Sequence, residues 1–281
     1  MSSPAAAPAT VPTEGGRLYT RTLGESGPRI AFLHGVLGQG RNWTTIAKAL
    51  VAGGRRATLI DLPNHGRSPW TAEFSHRDMT DAVAAELAAL APGEQWAIVG
   101  HSMGGKVAMM VALRFPELVE RLVVVDVAPM SYGSVERGFT SIMEGMHRVD
   151  LGPTTTRESA EESLRPWIGS PTVRAFVLQN LRRDPNGGWM WQLNLDLLRH
   201  NLGPLGGWDI ADVGPYEGPV LWLTGSDSEY VNDDAVPAMR ALFPRTQRIT
   251  VKNAGHWVHS EQPEVTLAAL ERFLPHEGPS H

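Results

Sequence analysis

Residues 96–126 read WAIVGHSMGGKVAMMVALRFPELVERLVVVD: a short apolar run, a polar break rich in glycine, a helix-length stretch closed by Phe-Pro, and a second apolar run ending in one aspartate. Two strands joined through a helix lie parallel, and strands this apolar must be covered on both faces. The same rhythm runs to either side. Before it stand RIAFL, NWTTIAKALVAGG, ATLIDLPNHGRS and RDMTDAVAAELAALAPG; far after it stand GPVLWLTG, DDAVPAMRALFP, QRITV and PEVTLAALERFL. Near the start, RLYTRTLGES alternates polar and apolar residues as a half-exposed strand does. The chain is therefore expected to be an α/β protein with a mostly parallel central sheet flanked by helices. Such sheets carry their sites at the carboxyl ends of the strands.

The rhythm stops after Asp126. Residues 130–210 hold no strongly apolar strand, but several helical patches, many breakers and Trp189, Trp191 and Trp208, which are expected to pack rather than cage a substrate. The expected organisation is a core made of residues 17–129 and 211–276, with a helical cap at 130–210 inserted over the strand ends. Long insertions there commonly carry specificity. Residues 1–16, MSSPAAAPATVPTEGG, lack both the basic and the apolar region of a secretory signal, and their Ala/Pro/Thr bias predicts disorder.

Composition narrows the function classes. The formal net charge of −5 gives no electrostatic case for a nucleic-acid or anionic-membrane partner. Absence of cysteine removes disulfides, a catalytic thiol and thiolate metal sites together. No apolar run approaches the roughly 20 residues that span a bilayer. A soluble, cytoplasmic protein without stable membrane insertion is expected; its oligomeric state is unreadable.

Gly100-His101-Ser102-Met103-Gly104 fits G-x-S-x-G between an apolar strand and a helix, the setting that pattern needs. A serine there sits at a strained backbone angle, so its neighbours must be small, and its hydroxyl points away from the sheet. The helix N-terminus then lies beneath any oxyanion that forms. Serine is a poor nucleophile without a base. Of the ten histidines, His256 in VKNAGHWVH follows the last apolar strand and precedes the last helix, which puts it at the same sheet edge as Ser102. His34 and His65 are expected to brace their loops, His101 to point sideways into the fold, and His259 to pack near a helix start.

The acid that would orient His256 has three candidates. The usual place is the loop after PVLWLTG, three residues beyond its glycine, but that slot holds Ser228, and Asp227 comes one residue early. Asp126 ends RLVVVD at the carboxyl edge, near where the His256 loop must arrive. Asp196 in WQLNLD lies within the expected cap. Asp126 is preferred, Asp227 is the alternative and Asp196 the third; only distance to the imidazole decides.

FLHGVLGQG, residues 32–40, has the form of a loop lending a backbone N–H to an oxyanion hole; Val36 would be that donor, paired with the N–H of Met103. GVLGQG lacks the spacing and acidic partner of a dinucleotide fingerprint, and GHSMGGK lacks the gap and ending of a P-loop. The histidines show no H-E-x-x-H spacing, so no metal site is expected, and a serine–histidine mechanism needs neither metal nor organic cofactor.

Together these pieces resemble the α/β-hydrolase superfamily from about residue 17 to 274, and are most similar to its YbfF-type small esterase branch. The resemblance rests on HGVLGQGRNW, DLPNHGRSP, GHSMGGKVAM, PELVERLVVVDVAP, WQLNLD, GSDSEYV and NAGHWVH in that order. It implies the α/β-hydrolase fold and a serine hydrolase. In that branch a serine stands where most relatives keep the acid, with a strand-end aspartate matching Asp126 as replacement, although the position of Asp196 has also been assigned. Asp227 departs from the branch pattern and keeps the ordinary arrangement open. The expected activity is hydrolysis of carboxylic esters or thioesters of small to medium acyl groups, through an acyl-enzyme and a Ser-His-Asp triad. A perhydrolase or a carbon–carbon bond hydrolase would use the same triad, and a non-catalytic ligand-binding scaffold is a third reading. A dehalogenase or epoxide hydrolase would need a carboxylate at Ser102.

Overall fold

In the computed structural model the described residues are 16–210 and 213–276, with 134–137 described by backbone alone. Apart from Gly16, the stretch expected to be disordered lies outside them. In chain order the first half comprises β1 (Thr20–Leu23), β2 (Arg29–Leu33), α1 (Thr44–Ala52), β3 (Arg56–Ile60), α2 (His76–Leu90), β4 (Trp96–His101), α3 (Met103–Arg114) and β5 (Val119–Val125). Then come α4 (Ser134–His147), α5 (Arg157–Leu164), α6 (Pro171–Leu178), β6 (Leu181–Arg183), β7 (Trp189–Trp191), α7 (Leu195–His200) and α8 (Leu202–Gly206). The chain returns through β8 (Val220–Gly225), α9 (Val236–Leu242), β9 (Thr246–Val251), α10 (Val258–Glu261) and α11 (Pro263–Phe273).

The main sheet has the order β1-β3-β2-β4-β5-β8-β9. Only the β1–β3 pairing is antiparallel; every other neighbour is parallel. The mostly parallel sheet is what the strand–helix rhythm predicts, and its order is that of the α/β-hydrolase fold which the resemblance implies. β4 and β5 occupy its centre, and β4 and β8 are buried throughout. Side chains alternate across the sheet: Ile30, Phe32, Val123 and Val125 pack with α1 and α11 residues such as Leu50 and Leu270. Ala31, Leu33, Ile98 and Val124 pack on the other face with Val83 and Leu87 of α2 and Val107 and Val111 of α3. Strands covered on both faces need near-continuous apolar sequence, and VERLVVV and VLWLTG supply it.

The segment between β5 and β8 carries helices α4 to α8 and also contains the β6–β7 hairpin. The Trp189–Trp191 stretch is thus a strand. The turn explains it: Asp184 accepts from the Asn186 and Gly187 amides, and Gly187 and Gly188 sit at φ of 103° and 81°, where glycine is the residue of choice. Trp189 and Trp191 donate their indole N–H groups to the carbonyls of Thr155 and Met146. The segment is tied to the strand-end loops by Asn180 donating to the Leu37 carbonyl, Gln39 donating to Asn180, and the Asn194 amide donating to the Asn64 carbonyl. Among the described residues no helix is long and apolar enough to cross a membrane.

Candidate active site

The turn from β4 into α3 is tight enough to dictate its residues. Ser102 has φ 52° and ψ −119°, a region side chains rarely adopt, and its carbonyl accepts the Lys106 amide as α3 begins. A Cβ on Gly100 would lie 2.3 Å from the Gly104 carbonyl oxygen, and one on Gly104 would lie 2.5 Å from that of His34. The glycines of GHSMGG are therefore steric requirements of the turn.

Three elements distant in sequence converge on the Ser102 hydroxyl. His256 lies in the loop between β9 and α10, and its Nε2 is 3.0 Å from Ser102 Oγ. Its Nδ1 is 2.8 Å from Asp126 Oδ2. An ionised carboxylate only accepts, so Nδ1 carries the proton and Nε2 is left to accept from the hydroxyl. Asp126 follows β5 at φ 52° with 0% exposure. It is satisfied by three donors: His256 Nδ1, the Gly225 amide at 3.0 Å, and the Ser228 hydroxyl, which shares Oδ2. The serine in the slot where an acid is ordinarily found thus supports the aspartate that faces the histidine.

The other two aspartates lie elsewhere. Asp227 is exposed and accepts from Ser226 Oγ at 2.9 Å. Asp196 on α7 is 71% exposed and lies 3.4 Å from His147 Nδ1. Neither is brought to His256.

Val36 and Met103 are buried, and both line the small cavity that Ser102 also lines. Among the described residues their amides have no hydrogen-bond partner, although buried N–H groups are nearly always paired. Two unpaired amides beside a nucleophile can receive a developing oxyanion. The loop bearing Val36 is held by two histidines. His34 Nδ1 donates to the Gly35 carbonyl and its Nε2 accepts the Leu62 amide; His65 Nδ1 donates to Pro63 and its Nε2 accepts the Leu37 amide.

Burial holds these rings neutral. It pulls His34 below the ordinary 6.5 to about 4, and His65 and His76 to about 3. Folded values below the unfolded one mean stability is fully present above pH 6.5 and is lost as pH falls toward the folded values. The expected slope is about 1.4 kcal/mol per pH unit for each ring, roughly 4 for the three. Urea unfolding at about pH 7.5 and about pH 5 reads it; an unchanged midpoint would contradict neutral burial of these rings.

Sequence reasoning missed four contributors. His101 donates from Nε2 to the His256 carbonyl at 2.8 Å and so fixes the backbone that carries the imidazole. Tyr230 stacks on the His256 ring at 4.0 Å and 19°. Ser228 supports Asp126 as described. Lys106, one turn into α3, donates to the Gly206 and Gly207 carbonyls and sits over the Tyr132 ring; burial pulls its ammonium from 10.5 to about 7. Only the doublet of glycine before Lys106, which lets α3 pack close, hinted at that part of the turn.

The cavity beside Ser102 has a volume of about 20 Å³, room for roughly one water. Val127, Tyr132, Phe139, Leu205 and Tyr230 complete its walls, so an acyl group enters only as these side chains move. Among the described residues no group of three or more acidic or histidine side chains could hold a metal ion.

Comparison with known proteins gives the family. Residues 28–263 match the family model for the alpha/beta hydrolase fold. The chain is 39% identical over 256 residues to an sn-1-specific diacylglycerol lipase, ABHD11, of Danio rerio, covering 89% of this chain and 79% of that protein. It is 27% identical to the esterase YbfF of Escherichia coli, covering 87% and 92%. Among solved structures, a marine microorganism esterase superposes with a TM-score of 0.88 at 32% identity, covering 92% of this chain and 99% of that one.

Proposed function

Because this chain belongs to the alpha/beta hydrolase fold family, we propose that it hydrolyses carboxylic esters through Ser102, His256 and Asp126. The observation that carries the reading is the unbroken chain of hydrogen bonds from Ser102 Oγ through the imidazole to the buried carboxylate, at 3.0 and 2.8 Å. His256 Nε2 takes the Ser102 proton as Oγ attacks the acyl carbonyl carbon. The N–H groups of Val36 and Met103 stabilise the oxyanion of the tetrahedral intermediate. His256 then returns the proton to the departing alcohol or thiol, and a water activated by the same nitrogen cleaves the acyl-enzyme. Asp126 fixes the tautomer and stabilises the imidazolium; no metal or organic cofactor takes part in this scheme.

Residues 130–210 act in this reading as a cap on the core formed by 17–129 and 211–276. Phe139 and Leu205 come from that segment and narrow the space beside Ser102. The reading takes small to medium acyl groups as the substrates, admitted as Phe139 and Leu205 move from the hydroxyl.

The choice of acid is tested by replacing each aspartate in turn. Asp227→Asn and Asp196→Asn are expected to keep p-nitrophenyl acetate turnover within about twofold of wild type, since neither carboxylate reaches the imidazole. A loss of several orders of magnitude in either variant would move the acid away from Asp126.

A further inference from the structure

Lys106 is 2% exposed, and among the described residues it forms no ion pair. An apolar side chain would pack there at less cost, because a buried charge is tolerated only where its donors are met. An ammonium has three N–H donors. Two go to the carbonyls of Gly206 and Gly207, each at 2.6 Å, at the end of α8. A helix leaves its last carbonyls without intrahelical partners, so Lys106 of α3 closes the end of a helix from the inserted segment. The charge also sits over the Tyr132 ring, with Nζ 5.0 Å from its centroid.

Tyr132 is in turn fastened at both ends. Its amide donates to the same Gly206 carbonyl at 2.8 Å. Its hydroxyl accepts from the Ala128 amide at 2.7 Å and donates to the Tyr230 carbonyl at 2.6 Å. Tyr230 carries the ring that stacks on His256, and its amide donates to Ser228 Oγ at 3.3 Å. Ser228 is the hydroxyl that supports Asp126. A continuous run of contacts therefore leads from Lys106 through Tyr132 and Tyr230 to the base, with a branch to the acid, and none of it passes through the Ser102 turn.

We propose that Lys106 is a positioning residue for the hydrolysis described above, on which reading this inference rests: it fastens α8 to α3, seats Tyr132, and so holds the Tyr230 ring against the His256 imidazole. Lys106 shares the wall of the cavity with Ser102, but two of its donors are committed to α8, and it acts on the reaction through the two tyrosines. A base displaced by a fraction of its hydrogen-bond length from Ser102 Oγ transfers the proton poorly, and misplacement of about 1 Å costs about 100-fold.

Two variants test the path. Lys106→Met keeps a long unbranched side chain and removes charge and donors; Tyr132→Phe keeps the ring and removes the hydroxyl. Each is expected to lower kcat for p-nitrophenyl acetate by about 10- to 100-fold with KM within about twofold of wild type. The double variant should be no slower than the slower single one, because both changes break one path. Effects that multiply, or a raised KM with kcat unchanged, overturn the proposal. A second readout needs no turnover. The His256 ring protons lie against the Tyr230 face, so their proton NMR signals should carry a ring-current shift in wild type, calibrated by Tyr230→Leu. Lys106→Met and Tyr132→Phe should both lose that shift. Its persistence in folded Lys106→Met overturns the proposal. If wild type hydrolyses no ester, the esterase reading fails alone, and the ring-current comparison still decides the role of Lys106. Lys106→Gln keeps two donors for the α8 carbonyls and loses the charge over Tyr132. Should Lys106→Met show no cooperative unfolding transition, the same comparison in Lys106→Gln decides, with a reduced shift expected and an unchanged one contradicting.

Discussion

Ser102→Ala is expected to lower kcat for p-nitrophenyl acetate by about 10⁴-fold or more while leaving the folded protein intact. Alanine keeps the Cβ that the position already tolerates at φ 52°, so the backbone strain of the turn is unchanged and only the hydroxyl is removed. His256 loses its partner at Nε2 but keeps the Asp126 bond at 2.8 Å, the Tyr230 stack and the His101 bond to its carbonyl. Thermal unfolding of the variant should therefore track wild type. The residual rate measures what the oxyanion amides and binding accomplish alone. Loss of activity together with loss of folding would assign Ser102 to the turn rather than to the chemistry.

Asp126→Asn is expected to cost about 10⁴-fold in kcat with little change in KM. An amide nitrogen at the Oδ2 position would present donors to a nitrogen that now donates, so the ring adopts the opposite tautomer and turns a proton toward Ser102. Ser228, whose hydroxyl donates to the same oxygen, loses its acceptor in that rotamer. In the other rotamer the amide nitrogen faces the Gly225 N–H, a donor against a donor in a fully buried site. In the first rotamer the Ser228 hydroxyl can turn to accept from the amide, so the fall in rate follows from the tautomer alone, whereas the second rotamer adds a fall in stability. The pH–rate profile and urea midpoint of the variant separate the two effects.

How far the fold was legible follows from the kind of signal each part leaves. The order of strands and helices is written in apolar period, because a buried parallel strand cannot be built from anything but near-continuous apolar residues. Ser102 and His256 were legible because a strained turn restricts its neighbours to glycine and because the base must return to the same sheet edge. Asp126 is preferred over Asp227 and then Asp196 on chain position alone, which fixes where a residue sits and not where its carboxylate aims. Asp126 reaches His256 through a positive φ and a hydroxyl contributed from about a hundred residues away, and neither leaves a local pattern. The His101 bond to the His256 backbone and the Lys106 bonds to Gly206 and Gly207 are of the same long-range kind. The β6–β7 hairpin is different: DPNGG between LRR and WMW is a turn signal, outweighed in the sequence reading by the helical patches around it.

The most direct measurement is mass spectrometry of the protein after inactivation by a fluorophosphonate, with ester hydrolysis followed in the same sample. A single phosphonyl adduct on the peptide bearing Ser102, formed in step with the loss of p-nitrophenyl acetate hydrolysis, is the predicted result. Full hydrolytic activity without an adduct there, or inactivation that follows an adduct on another residue, would contradict Ser102 as the nucleophile.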